Sequence, residues 1–189
     1  KNGFALIRDV SYSFSYPPSY GNFGYITIEG KIKLNRNLRQ TETFVEGIAV
    51  ASNGKYYGYV DETLRWVIKP QFDEANSFSE GLASVRIGNN WGFINKKGIV
   101  IINPNIQKSN SDIQTTPNFE SVTNFIDGIS LIKVRNKYGF IDLTGNWIIS
   151  PELLDAKPFN NGIAIVKQKN RKGWNFIDKS GNIIFTKFL

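Results

Sequence analysis

The sequence contains no cysteine, no histidine and no methionine. Without cysteine there is no disulfide framework and no thiolate zinc site. Without histidine the commonest general base, the commonest metal ligand and the usual pH switch are all missing. A Ser-His-Asp triad is therefore impossible. No uninterrupted apolar run approaches the roughly 20 residues that a membrane-spanning helix needs. There is no G-x-x-x-x-G-K-[ST] phosphate loop and no D-x-D-x-D-G calcium loop. The acid pairs Asp61–Glu62 and Asp73–Glu74 are sequence neighbours, which point to opposite faces of an extended chain and make no acid/base pair. The expectation is a protein that is not an enzyme and has no catalytic residue, cofactor or metal. The chain begins at Lys1 inside a strand-like pattern, which suggests a removed targeting segment or a piece of a longer protein.

What is present is a folding composition. Hydrophobic residues make up 41% and charged residues 21% of 189 residues, enough for one domain with a core. Aromatics reach 14%, and aromatic and β-branched residues fit a pleated, half-buried surface, so strands are expected. The net charge is +7. From Lys157 onward seven basic residues face one acid, Asp178. That concentration suits either an anionic partner or a solvated edge.

The chain repeats itself. "FVEGIAV" at Phe44 returns as "FSEGLASV" at Phe78, "FIDGISLIKV" at Phe125 and "FNNGIAIV" at Phe159, in steps of 34, 47 and 34 residues. An aromatic-Gly pair runs in parallel: "FGYI" at Phe23, "YGYV" at Tyr57, "WGFI" at Trp91, "YGFI" at Tyr138 and "WNFI" at Trp174. The long step holds a polar insertion at 105–118, as a surface loop would. "NKKG" (95–98), "DLTG" (142–145) and "DKSG" (178–181) read as type I turns closed by a left-handed glycine. In them Asp142 and Asp178 are expected to accept backbone N–H bonds. Pro70, Pro104 and Pro151 are expected to end the following strand.

These three motifs together closely resemble the WG-repeat family of tandem β-rich repeats. The resemblance covers most of the chain, as one domain over 1–189 with full units at 44–77, 78–124, 125–158 and 159–189 after a degenerate unit at 1–43. Asn175 replaces the motif glycine in the last unit and Leu64 replaces a turn glycine. The resemblance implies a bacterial protein, often secreted or of the cell envelope, whose repeats bind or scaffold. It implies no catalytic residues.

Alternation puts Ala83, Val85 and Ile87 on one face of their strand and Leu82, Ser84 and Arg86 on the other. The first is read as core. The second begins apolar and ends in solvent with Arg86, Lys133 and Lys167, a candidate binding ladder. Lys169, Arg171 and Lys172 at the tip of a long hairpin are further candidate binding residues. Gly58, Trp91, Gly92, Tyr138, Gly139 and Trp174 are read as structural motif residues, with a ring on one side and a close backbone approach at the glycine. The longest loops, 11–22, 105–118 and 167–173, are candidate contact loops.

The fold expected is all-β, with tandem ~34-residue units of about three short antiparallel strands stacked as an open β-solenoid or superhelix; a five-bladed propeller-like closure is the alternative. The function expected is a binding or scaffolding module with a protein partner. A glycan-binding module and nucleic-acid binding through the basic C-terminal units are the other readings, although no nucleic-acid motif is evident.

Overall fold

The computed structural model describes residues 4–9, 22–35, 37–103 and 118–187. The described residues contain no helix and form five antiparallel sheets, each a meander of sequential strands. The first sheet is β1 (Phe4–Asp9), β2 (Asn22–Thr27) and β3 (Ile32–Asn35). The second is β4 (Gln40–Thr41), β5 (Ile48–Ser52), β6 (Tyr57–Asp61) and β7 (Trp66–Phe72). The third is β8 (Glu74–Ala75), β9 (Leu82–Ile87), β10 (Asn90–Asn95) and β11 (Val100–Ile102). The fourth is β12 (Ser121–Val122), β13 (Ile129–Val134), β14 (Lys137–Asp142) and β15 (Trp147–Leu153). The fifth is β16 (Asp155–Ala156), β17 (Ala164–Lys167), β18 (Trp174–Ile177) and β19 (Ile183–Lys187). Each unit thus has the three main strands expected, and the last four add a two-residue edge strand just before the anchor phenylalanine. The sheets stay separate, as blades do, and close no barrel.

Four hydrophobic clusters join successive sheets, and their composition repeats. In the second-to-third contact, Ile48, Val50, Tyr59 and Phe72 meet Ala75, Phe78, Ala83, Val85 and Ile94. In the fourth-to-fifth contact, Ile129, Leu131, Phe140 and Leu153 meet Ala156, Phe159, Ala164, Val166 and Ile177. A ring pair sits in each: Tyr25–Phe44 at 4.4 Å between centroids, and Tyr59–Phe78, Phe93–Phe125 and Phe140–Phe159 at 4.9 Å. Tilted or edge-on rings at this spacing add about 0.5–1.5 kcal/mol beyond their buried area. The anchor phenylalanine of each unit is thus a plug that fills the face of the unit before it.

This arrangement corrects the single-core-face expectation. An internal sheet is covered on both sides, so Val50 and Leu131, on the face expected to run into solvent, are 1% and 7% exposed. Ile87, assigned to the core face, lies at the strand end and is 59% exposed. Proximity to a neighbouring sheet decides burial, and periodicity within one strand cannot report it.

The prolines are a second correction. Pro70 and Pro151 lie within β7 and β15 and do not end them. Pairing steps from Tyr59↔Ile68 to Tyr57↔Phe72, and from Phe140↔Ile149 to Tyr138↔Leu153. Four residues therefore span two, and the bulge leaves a proline with no ladder bond to donate. Gly58 and Gly139 face these bulges. A Cβ on Gly58 would lie 2.4 Å from the Ile68 carbonyl oxygen, and one on Gly139 2.6 Å from that of Ile149. In the fifth sheet Lys187 stands where the proline would be. Asn175 pairs there with Thr186 in a regular ladder, and the glycine position holds a buried asparagine. Pro104 lies outside the described residues.

The turns follow expectation. Gly98, Gly145 and Gly181 have φ of 76, 88 and 82°. Leu64 takes the same left-handed conformation at 62°, which costs roughly 1–2 kcal/mol for a residue with a Cβ. Its side chain is buried in the cluster between the first and second sheets, which offsets that cost.

Candidate functional site

The candidate cations fall into two groups. Arg86, Lys133 and Lys167 occupy the same position in β9, β13 and β17, each beside the short edge strand. That edge strand brings acids to them. Arg86 forms an ion pair with Glu74 at 2.5 Å and also donates to the Gly88 carbonyl. Lys133 lies 3.8 Å from Glu120 and over the Tyr138 ring at 5.9 Å. Lys167 is exposed and pairs in register with Asp155. The ladder therefore sets an acid beside each cation at the edge, and sequence reasoning missed the acids because the two-residue strands that carry Glu74 and Asp155, and that follow Glu120, have no visible periodicity.

Lys169, Arg171 and Lys172 are exposed on the β17–β18 loop. Lys169 and Arg171, with Glu152, Leu153 and Gln168, line an open cleft of about 380 Å³ at the junction of the fourth and fifth sheets. A second hollow of about 310 Å³ shares Glu152, Leu153 and Gln168. The Gln168 Oε1 atom is buried there without a hydrogen-bond partner. Among the described residues no three His, Cys, Asp or Glu side chains gather as a metal site. The contact loops 11–22 and 105–118 lie outside the described residues, apart from Asn22 and Asn118.

The motif residues build contacts between units. Trp66, Trp91, Trp147 and Trp174 are all half-buried. Trp66 packs against the core between the first two sheets, and Trp91 and Trp147 against that between the third and fourth. Tyr138 packs against the fourth-to-fifth cluster. Gly92 sits in β10 opposite Val85. Tyr59 donates its hydroxyl at 2.8 Å to the carbonyl of Asn76, just after the edge strand of the next sheet, and Tyr25 does the same to that of Glu42. Burial pushes both phenols above their ordinary value, with the Glu42 charge adding to it; for Tyr25 the Thr41 hydroxyl pulls the other way.

The acid of the F-x-E/D-G motif has a role that sequence reasoning missed. Glu46, Glu80 and Asp127, and Asn161 at the same place, all have positive φ and precede a positive-φ glycine. Each pair closes a two-residue hairpin, as Val45 and Ile48 exchange backbone bonds across Glu46–Gly47. That is a type I′ turn, and Asp-Gly or Asn-Gly is its strongest sequence signal, visible here at Asp127–Gly128 and Asn161–Gly162. The acid also reaches into the next unit. The Gly81 N–H donates to the Glu46 carboxylate at 3.2 Å, that of Gly128 to Glu80 at 2.8 Å, and that of Gly162 to Asp127 at 3.1 Å. Lys96 and Lys179 close two of these brackets by ion pairs to Glu46 and Asp127 at 3.1 and 3.8 Å.

The profile of the family described as WG containing repeat matches residues 57–91, 115–138 and 138–171. The chain belongs to the WG-repeat family. No curated protein matches it in sequence. Among solved structures, the WG-repeat chain superposes on a eukaryotic initiation factor with a TM-score of 0.59 at 10% identity, covering 100% of this chain and 53% of the other. Weaker likenesses are to Hsv2 of Kluyveromyces lactis, with a TM-score of 0.48, 8% identity and coverage of 89% and 58%. The WD40 domain of Neurospora crassa Pan2 gives a TM-score of 0.43, 13% identity and coverage of 98% and 62%. The chain thus spans between half and two thirds of the length of these structures. At such identities the likeness concerns the fold alone.

Proposed function

We propose that the WG-repeat chain is a non-catalytic binding or scaffolding module that makes protein–protein contacts, in a secreted or cell-envelope protein of a bacterium. One observation carries the reading. The rings and the hairpin acids Glu46, Glu80 and Asp127 join one sheet to the next and the motif glycines fit the strands of their own sheet, so the loops and edge strands are left to meet a partner. Rigid repeats with variable loops and edges present an extended surface to a macromolecular partner. The bacterial and envelope assignment rests on the resemblance to the family. The test is in-cell cross-linking from a photoreactive residue placed at the exposed Asn170, between Lys169 and Arg171, beside a glycan array read by tryptophan emission. A discrete protein adduct that is lost on reversing these charges supports the reading. Saturable glycan binding that shifts tryptophan emission, with no adduct, replaces it by the carbohydrate alternative. For now that alternative has less support, because the tryptophans are packed against sheet cores or held half-buried and do not form an exposed row.

A further inference from the structure

The β17–β18 connection departs from its counterparts. Residues 88–89 join β9 to β10 and residues 135–136 join β13 to β14, whereas residues 168–173 join β17 to β18. Lys133 and Lys167 hold equivalent register positions. Gln168 therefore stands where the fourth sheet has Val134, a residue 2% exposed in the core between the third and fourth sheets. A polar side chain thus occupies a core position, and the longer loop leaves space beside it. The result is the cleft of about 380 Å³ and the second hollow of about 310 Å³, which share Glu152, Leu153 and Gln168. Both lie between two sheets of the chain, away from its ends.

The lining decides what fits. Its floor is apolar: Leu153, Val166 and Ile177 are buried. Beside that floor the Gln168 Oε1 atom is shut away from water without a hydrogen-bond partner, which is costly until a donor reaches it. The rim is charged. Lys169 and Arg171 are exposed and, among the described residues, form no ion pair, not even with Glu152 on the other wall. No residue lining either hollow is aromatic. There is accordingly no platform on which a sugar ring or a nucleic-acid base would stack. A donor N–H, a carboxylate and an apolar side chain within a few residues of one another are the chemistry of an extended acidic peptide.

We propose, resting on the reading of the chain as a protein-binding module, that this cleft receives an extended acidic segment of the partner protein. A backbone N–H of the segment donates to Gln168 Oε1, a Glu or Asp carboxylate lies against Lys169 and Arg171, and an apolar side chain covers Leu153, Val166 and Ile177. Charge and hydrogen bond act together, because an exposed ion pair alone contributes little.

The test titrates the isotope-labelled 189-residue chain with acetyl-Val-Glu-Val-amide and reads amide shifts by NMR. Saturable shifts of the Gln168 side-chain amide and of the backbone at Lys169 and Arg171 are expected at millimolar peptide. Acetyl-Val-Gln-Val-amide keeps the N–H groups without the charge, and glutarate keeps the charge without the peptide. Each should bind at least about fivefold more weakly. The double variant Lys169→Ala, Arg171→Ala should weaken the peptide to a similar degree, and so should Gln168→Leu, which puts an apolar residue at a core position. Circular dichroism establishes that both fold. No saturable shift at tens of millimolar overturns the proposal, as does undiminished binding in either variant. Glutarate or an oligogalacturonate binding as tightly as the peptide overturns it too, and assigns the cleft to a bare anion or an acidic glycan. Failure here is separate from failure of the protein-binding reading. A protein adduct at Asn170 on a chain whose cleft ignores the peptide keeps that reading and removes this site.

Discussion

Gly139 shows how a single missing methyl group fixes a strand path. Its Cβ position is occupied by the bulge of β15, 2.6 Å from one backbone atom and 2.9 Å from the nitrogen of Pro151. Backbone cannot rotate away as a side chain can. Gly139→Ala should therefore destabilise the fold by about 1–3 kcal/mol, read as a lower urea midpoint. At the equivalent position of the fifth sheet no bulge presses, and the buried Asn175 side chain is accommodated. The turn carboxylates act at the same scale. Partial burial raises Asp61 and Asp142, but the Thr63 and Thr144 hydroxyls and the N–H groups of their turns outweigh it. For Asp178, Asn182 and the turn N–H groups lower it. All three are held below the ordinary value of 3.8. A depressed carboxylate contributes stability that is complete above its unfolded value and lost as pH falls through the folded one. The melting temperature should accordingly fall below about pH 4. The variant Asp61→Asn, Asp142→Asn, Asp178→Asn should fold, since Asn95 caps its turn at 3.0 Å without charge, and its acid limb should be flatter. An unchanged limb would show that these turns do not govern acid stability.

At the scale of the element, the ring that ends one unit and begins the next is the main connector. Phe78 is 2% exposed and packs edge-on against Tyr59. Phe78→Ala should cost about 3–5 kcal/mol, the usual loss for a buried aromatic cut to alanine. Urea denaturation followed by emission of Trp66 and Trp91, which flank that contact in sequence, measures it. The acid brackets are weaker because they are exposed. Glu80→Ala removes the acceptor for Gly128, and a loss of about 1 kcal/mol or less is expected. Glu80→Gln, which keeps an acceptor oxygen, should recover most of it. Equal losses in the two variants would assign the effect to charge and not to the hydrogen bond.

For the whole molecule, stability is a chain of nearest-neighbour contacts, and its surface charge is largely local to the edges. Replacing Arg86, Lys133 and Lys167 together by alanine should leave the fold within about 1–2 kcal/mol of the parent, because exposed ion pairs such as Arg86–Glu74 contribute up to about 1 kcal/mol each. The same variant should weaken binding of an acidic partner. Cross-linking yield at physiological salt compares the two. A collapse of the melting transition would show that these edges hold the units together, and unchanged binding would confine recognition to the β17–β18 loop.

The sequence by itself determined the repeat, the all-β class, the three main strands of each unit and the aspartate-capped turns. Each of these is a local property, set by side-chain alternation, by turn residues and by the spacing of Phe44, Phe78, Phe125 and Phe159. It also held a legible signal in Asp127–Gly128 for the tight hairpin. Only the tertiary structure decided that both faces of a sheet are buried, that Pro70 and Pro151 lie in bulges, and that Glu74 and Glu120 sit beside Arg86 and Lys133. The burial depends on which sheet lies against which, over separations of about one repeat, and the bulges and the acid–cation neighbours depend on which strands pair within a sheet. A period of two within a strand assigns residues to faces. It contains no information on what covers either face.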